Sequence, residues 1–214
     1  MNWLVMTFMS SIGKKQIMAV TGLLFCLFIT VHMIGNLTIY AGENSFLSYV
    51  DHLHAFESLV TLAEWGLILS AVFHIGMGLL LFLENLRARP VSYAVKKNAG
   101  GRTVGSTTAP YTGVLILAFL IVHLIKFRFV DKTTTDDFAI LSTTFAHFGF
   151  WTFFYIAGVV VVAVHVSHGF WSAFQTLGLS HPKYMPIVER LGISFSFIIG
   201  IGFASIPVFL FLSL

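Results

Sequence analysis

A single cysteine, Cys26, stands in 214 residues. One thiol excludes an intrachain disulfide, a cysteine-rich zinc site and a cysteine-held iron-sulfur cluster. Charge is equally scarce, because only 10% of the residues are Asp, Glu, Lys or Arg, against roughly 25% in a soluble domain. With 57% of its residues hydrophobic, such a chain has too little polar surface to cover itself in water. The net charge of +3 comes from twelve basic and nine acidic residues with no basic tract, so nothing points to nucleic acid.

What the chain has in abundance is long apolar runs. A membrane span needs about 20 apolar residues, and five stretches qualify, at about 16–40, 61–84, 109–130, 145–177 and 191–213. The expected fold is an all-α integral membrane protein, a single domain in which helices I to IV form a four-helix bundle. The first stretch follows Lys14-Lys15 and is too long for a signal peptide, with no Ala-x-Ala site. It is expected to remain as a span.

Orientation follows from lysine and arginine. With the N-terminus cytoplasmic, nine of the twelve basic residues face inward: Lys14, Lys15, Arg87, Arg89, Lys96, Lys97, Arg102, Lys183 and Arg190. Only Lys126, Arg128 and Lys132 fall outside, and the C-terminus is outside too. The acids lean the other way, with Glu43, Asp51, Glu57, Glu64, Asp131, Asp136 and Asp137 outward. The longest inner loop, Arg87 to Thr108, is basic and suits either a docking surface for a soluble partner or a solvated loop that sets topology. Between helices I and II, Phe46, Val50, Leu53 and Phe56 recur at three- and four-residue steps, which predicts a short interfacial helix. Trp3, Phe8 and Ile12 suggest a weaker one before helix I.

Two histidine pairs repeat with one spacing. His32 and His74 are 42 positions apart, as are His123 and His165, and the second pair lies 91 residues after the first. Thr21-Gly22 precedes His32 as Thr112-Gly113 precedes His123, and Gly78 and Gly169 follow His74 and His165 by four residues. The pattern reads as a duplicated helix hairpin.

Depth decides which histidines can share a ligand. His32 lies roughly 16 Å from the outer mark Glu43, and His123 sits near the outer charges Lys126 and Arg128. His74 lies roughly 20 Å from the inner mark Arg87, and His165 is well past the midplane. Helices I and III therefore offer an outer pair, His32 and His123, and helices II and IV an inner pair, His74 and His165. Histidine in hydrocarbon is costly and needs a partner. For one alone a neighbouring carbonyl or hydroxyl would serve, but four at repeated positions and matched depths favour metal ligation. The glycines leave room for a planar macrocycle, or for close helix packing. Two trans imidazoles suit a haem iron better than tetrahedral zinc. Without Cys-x-x-Cys-His the haems would be two b-type groups, and filled axial positions make electron transfer their job.

The stretches Thr21-Gly through Val-His32, Val-Phe-His74-Ile-Gly-Met-Gly, Thr112-Gly through Val-His123 and His165-Val-Ser-His-Gly-Phe-Trp-Ser resemble the single-chain, five-helix dihaem cytochrome b subunit of succinate dehydrogenases and fumarate reductases. The resemblance covers about Lys14 to Leu214. It implies that His74 and His165 hold a proximal haem and His32 and His123 a distal one. It also implies a membrane anchor in a bacterial cytoplasmic membrane, passing electrons between menaquinone and an iron-sulfur subunit. A flavoprotein subunit would carry the dicarboxylate site, and the complex would be a dimer of heterotrimers.

Quinone chemistry needs protons, so an outer carboxylate is useful; Glu64 is the candidate and Glu57 its competitor. His52, His54 and His147 are weaker quinone candidates at the same face. His168, Lys126 and Arg128 are candidate haem-propionate contacts, with Lys14, Lys15 and Gln16 on the inner side, while His181 is expected to be solvated. A cytochrome b of a hydrogenase or formate dehydrogenase keeps the haems and changes the partner. A proton-coupled transporter would use the histidines as a relay, but broken helices would be expected.

Overall fold

The computed structural model describes residues 3–88 and 103–213, which are mainly helical with no strand among them. The inner-loop residues Arg89, Lys96, Lys97 and Arg102, and with them the expected docking surface, lie outside the described residues. Eight α-helices follow in order: α1 Trp3–Met9, α2 Ser11–Asn36, α3 Glu43–Ala55, α4 Glu57–Ala88, α5 Val104–His123, α6 Asp137–Phe145, α7 Phe150–Thr176 and α8 Met185–Ser213. Five of them, α2, α4, α5, α7 and α8, are long and apolar enough to cross a membrane. Large apolar side chains on their outer faces, such as Leu27, Leu62, Val72, Phe197 and Ile201, are exposed, as a lipid-facing surface requires.

Local chemistry sets the helix ends. The Ser10 hydroxyl accepts from the Gly13 N–H at 3.0 Å, starting α2 five residues before the expected 16 and carrying Lys14 and Lys15 inside the helix. Lys14 is buried and forms an ion pair with Glu84 of α4. Thr103 and Ser106 form a reciprocal capping box at the start of α5, which satisfies two of the free N–H groups there. α2 tightens into a 3₁₀ turn over Leu37–Ala41 and ends at Gly42, whose φ of +96° favours glycine. The chain turns there into α3, the short helix expected between the first two spans. The Tyr49 ring of α3 occupies the place a side chain at position 35 would take, so Gly35 lets α3 fold back on α2.

Other boundaries differ from the sequence expectation too, the third span starting at Val104 rather than at 109. The fourth span starts at Phe150 rather than at 145, because Phe145 ends a separate helix, α6, whose N-cap Asp136 accepts from the Ala139 N–H at 2.7 Å. The fifth starts at Met185 rather than at 191. Ile39, Phe46, Phe145, Tyr155, Ile206 and Leu210 form a buried cluster that joins α3, α6, α7 and α8 at one end of the bundle.

α2, α4, α5 and α7 close a ring in which α2 packs on α4 and α7, and α5 on α7 and, more sparingly, α4. α8 packs outside this ring, against α7 and α2. The diagonal helices, α2 with α5 and α4 with α7, make no backbone contact among the described residues. Whatever bridges the middle of the ring must therefore do so through side chains.

Candidate functional site

The four repeated histidines meet across those diagonals. His32 of α2 faces His123 of α5 with ring centroids 6.0 Å apart. His74 of α4 faces His165 of α7 at 6.4 Å. Two metal–nitrogen bonds of about 2.0 Å, with about 1.2 Å more from each nitrogen to its ring centre, give about 6.4 Å, so both separations suit a pair of axial imidazoles on one metal. Among the described residues no three His, Cys, Asp or Glu side chains gather. Each pair would offer two donors, a set that fits a metal whose remaining bonds come from a macrocycle.

The inner pair is held by hydroxyls. Thr21 Oγ1 lies 3.0 Å from His74 Nδ1, and Thr112 Oγ1 lies 3.0 Å from His165 Nδ1. The sequence repeat contains both threonines but assigns them no role. Gly22 and Gly113 also belong to this pair, although they precede the outer histidines in sequence. A Cβ on Gly22 would stand 3.3 Å from His74 Cε1, and one on Gly113 would stand 3.8 Å from His165 Cε1. Gly78 faces the Met18 methyl at 3.8 Å, and Gly169 has no neighbour within 4 Å.

The outer pair is braced by aromatic rings. Phe28 stacks on His32 with centroids 5.3 Å apart, and Phe119 stacks on His123 at 5.9 Å. Each phenylalanine lies four residues before its histidine, on the same helix face, and the two are again 91 residues apart, a signal the sequence carried unread. Phe127 and Tyr155 complete the wall around His123. The backbone just beyond His123 widens into a π turn over Leu124–Arg128, a feature frequent at functional sites. Asn36 Nδ2 donates to the His32 carbonyl at 2.8 Å and lies 3.4 Å from His32 Nδ1. His123 Nδ1 is buried with no hydrogen-bond partner.

The remaining candidates are placed as follows. Arg128 grips Glu64 with two bonds, at 2.9 and 3.1 Å, on the exposed outer surface. Lys126 lies over the Trp151 ring, 5.0 Å from its centroid. Glu57, His52, His54 and His147 are exposed. His168 packs edge-on against Trp171 at 4.8 Å and keeps a buried, unpartnered Nδ1. His181, exposed, accepts from the Lys183 N–H at 3.2 Å. No protein family, curated protein or solved structure matches the chain.

Proposed function

We propose that the chain is a membrane-bound dihaem cytochrome b. Within that class we read it as the membrane anchor and quinone-reactive subunit of a succinate dehydrogenase or fumarate reductase. The observation that carries the first step is the pairing of His32 with His123 and His74 with His165 across diagonal helices whose backbones make no contact among the described residues. The second step rests on the sequence resemblance.

His32 and His123 would hold the outer haem, and His74 and His165 the inner one. When bound, these groups would supply one-electron transfer. The chain fixes where this happens. Thr21, beside the inner pair, and His32, in the outer pair, are eleven residues apart on α2, which is roughly 16 Å along the helix. A charge moved that far crosses about half of the hydrocarbon thickness, so a potential of about 100 mV acts on it with about 1 kcal/mol. Around the outer pair, Phe28, Phe119, Phe127 and Tyr155 exclude water from the ligand rings. Glu64 and Glu57 are the outer carboxylates available to exchange quinone protons. The basic inner side suits docking of the iron-sulfur and flavoprotein subunits, with menaquinone as the membrane substrate.

Affinity purification from the native membrane tests the second step. Flavin and iron-sulfur subunits that reduce the chain on addition of succinate support it. A hydrogenase or formate dehydrogenase partner would replace it with another membrane oxidoreductase.

A further inference from the structure

We propose that Thr21 and Thr112 are positioning residues that fix the tautomer and orientation of His74 and His165, and so set the inner site chemically apart from the outer one. The inference rests on the haem reading above.

Each threonine has one hydroxyl hydrogen, and carbonyls of its own helix lie within hydrogen-bond reach of it. Thr21 donates to the Ile17 carbonyl at 2.7 Å, and Thr112 donates to the carbonyls of Thr108 and Ala109, both at 3.1 Å. What remains for the imidazole is the hydroxyl oxygen, which accepts. The tautomer that satisfies this arrangement has its hydrogen on Nδ1 of His74 and of His165, where the backbone carbonyls of Met18 and Ala109 also lie within reach, and it leaves Nε2 with its lone pair free for a metal. A histidine that donates its far N–H is held in place and is a more basic ligand. The glycine next to each threonine completes the seat, since Gly22 lies against the ring edge of His74 and Gly113 against that of His165.

Among the described residues the outer site has no such acceptor. His123 Nδ1 has no partner, and His32 Nδ1 reaches only the Asn36 amide at 3.4 Å. The two sites are thus built on different terms, hydroxyl bonds inside and ring stacking outside. The same two helices serve both, because α2 carries the ligand His32 and the positioner Thr21, and α5 carries His123 and Thr112. A duplicated hairpin gives this arrangement twice, with each helix supporting the histidine of its neighbour, α4 or α7.

The test is a redox titration of the full complex, followed by electron paramagnetic resonance, on Thr21→Val, Thr112→Val and Thr21→Ser. Valine keeps the branched shape and removes the acceptor; serine keeps the acceptor. The expected result for each valine variant is about a tenfold loss of ferric preference at the inner haem, a rise of about 59 mV for a one-electron couple, with the outer haem unmoved and serine returning toward the wild type. Thr30→Val, which removes a hydroxyl bonded to the Cys26 carbonyl, should leave the inner haem unchanged. Unshifted inner potentials in both valine variants overturn the inference, as does an equal shift from Thr30→Val. If valine loses the inner haem altogether, its retention by serine supports the inference, and its loss from serine as well overturns it. A wild-type chain without haem overturns the haem reading itself and this inference with it, an outcome distinct from intact haems with unmoved potentials.

Discussion

His74 of α4 and His165 of α7 stand with their rings 6.4 Å apart, and each is tied at Nδ1 to a threonine 53 residues earlier in the chain. The equal separations are the duplication expressed as geometry. Each half of the repeat supplies one ligand to each site, so the halves are joined by whatever the histidines hold.

Removing one ligand should empty one site. His165→Ala and His74→Ala are expected to lose the inner haem and keep the outer one, halving the b-type absorbance. His32→Ala and His123→Ala should do the reverse. The check is haem stoichiometry with the spectrum of the haem that remains, and retention of both haems in His165→Ala would break the pairing.

The glycines predict a graded response. A methyl at position 22 would press on His74 at 3.3 Å, whereas one at 113 meets His165 at an ordinary 3.8 Å. Gly22→Val should displace the ring and deplete the inner haem, and Gly113→Ala should be tolerated. Equal haem content in wild type and Gly22→Val would mean the seat is looser than its geometry.

At the outer surface Arg128 and Glu64 make an exposed ion pair, and breaking it should cost no more than about 1 kcal/mol. Arg128→Leu is therefore expected to fold and bind both haems. Glu64→Gln should also bind both, while slowing quinol turnover by about 100-fold if its carboxyl moves the proton. Unchanged turnover would pass that role to Glu57.

On the inner side Lys14 is 6% exposed and Glu84 shields its charge. Glu84→Leu strands a buried cation and should cost about 1–3 kcal/mol, less than for a fully buried pair because Glu84 is partly solvated. Combining it with Lys14→Met should recover most of that loss. Thermal unfolding in detergent reads the difference, and an additive double variant would count against coupling.

Much of this was legible in the sequence because a bilayer turns composition into topology. Twenty-residue apolar runs were enough to place the five long helices, and the matched positions of the four histidines anticipated their pairing across the repeat. That α3 is a helix was visible through the three- and four-residue apolar steps Phe46, Val50 and Leu53. α6 was not foreseen, because nine residues with one cap, Asp136, merge with the apolar run that follows. Thr21 and Thr112 escaped assignment for a different reason. A threonine in a membrane helix ordinarily bonds its own backbone, as both do here, and the second bond that gives them a role depends on which helix packs alongside. The 91-residue repeat of Phe28 and Phe119 could have been read, but only with a reason to expect rings against the outer pair.

The central claim is that the four histidines hold two haems. It is tested most directly by haem quantitation on the purified chain, with the reduced-minus-oxidised spectrum and low-temperature electron paramagnetic resonance of the oxidised form. Two b-type haems per chain, both with paired imidazole ligands, are the predicted result. No b-type band, a single haem per chain, or an iron with an open axial position would contradict it.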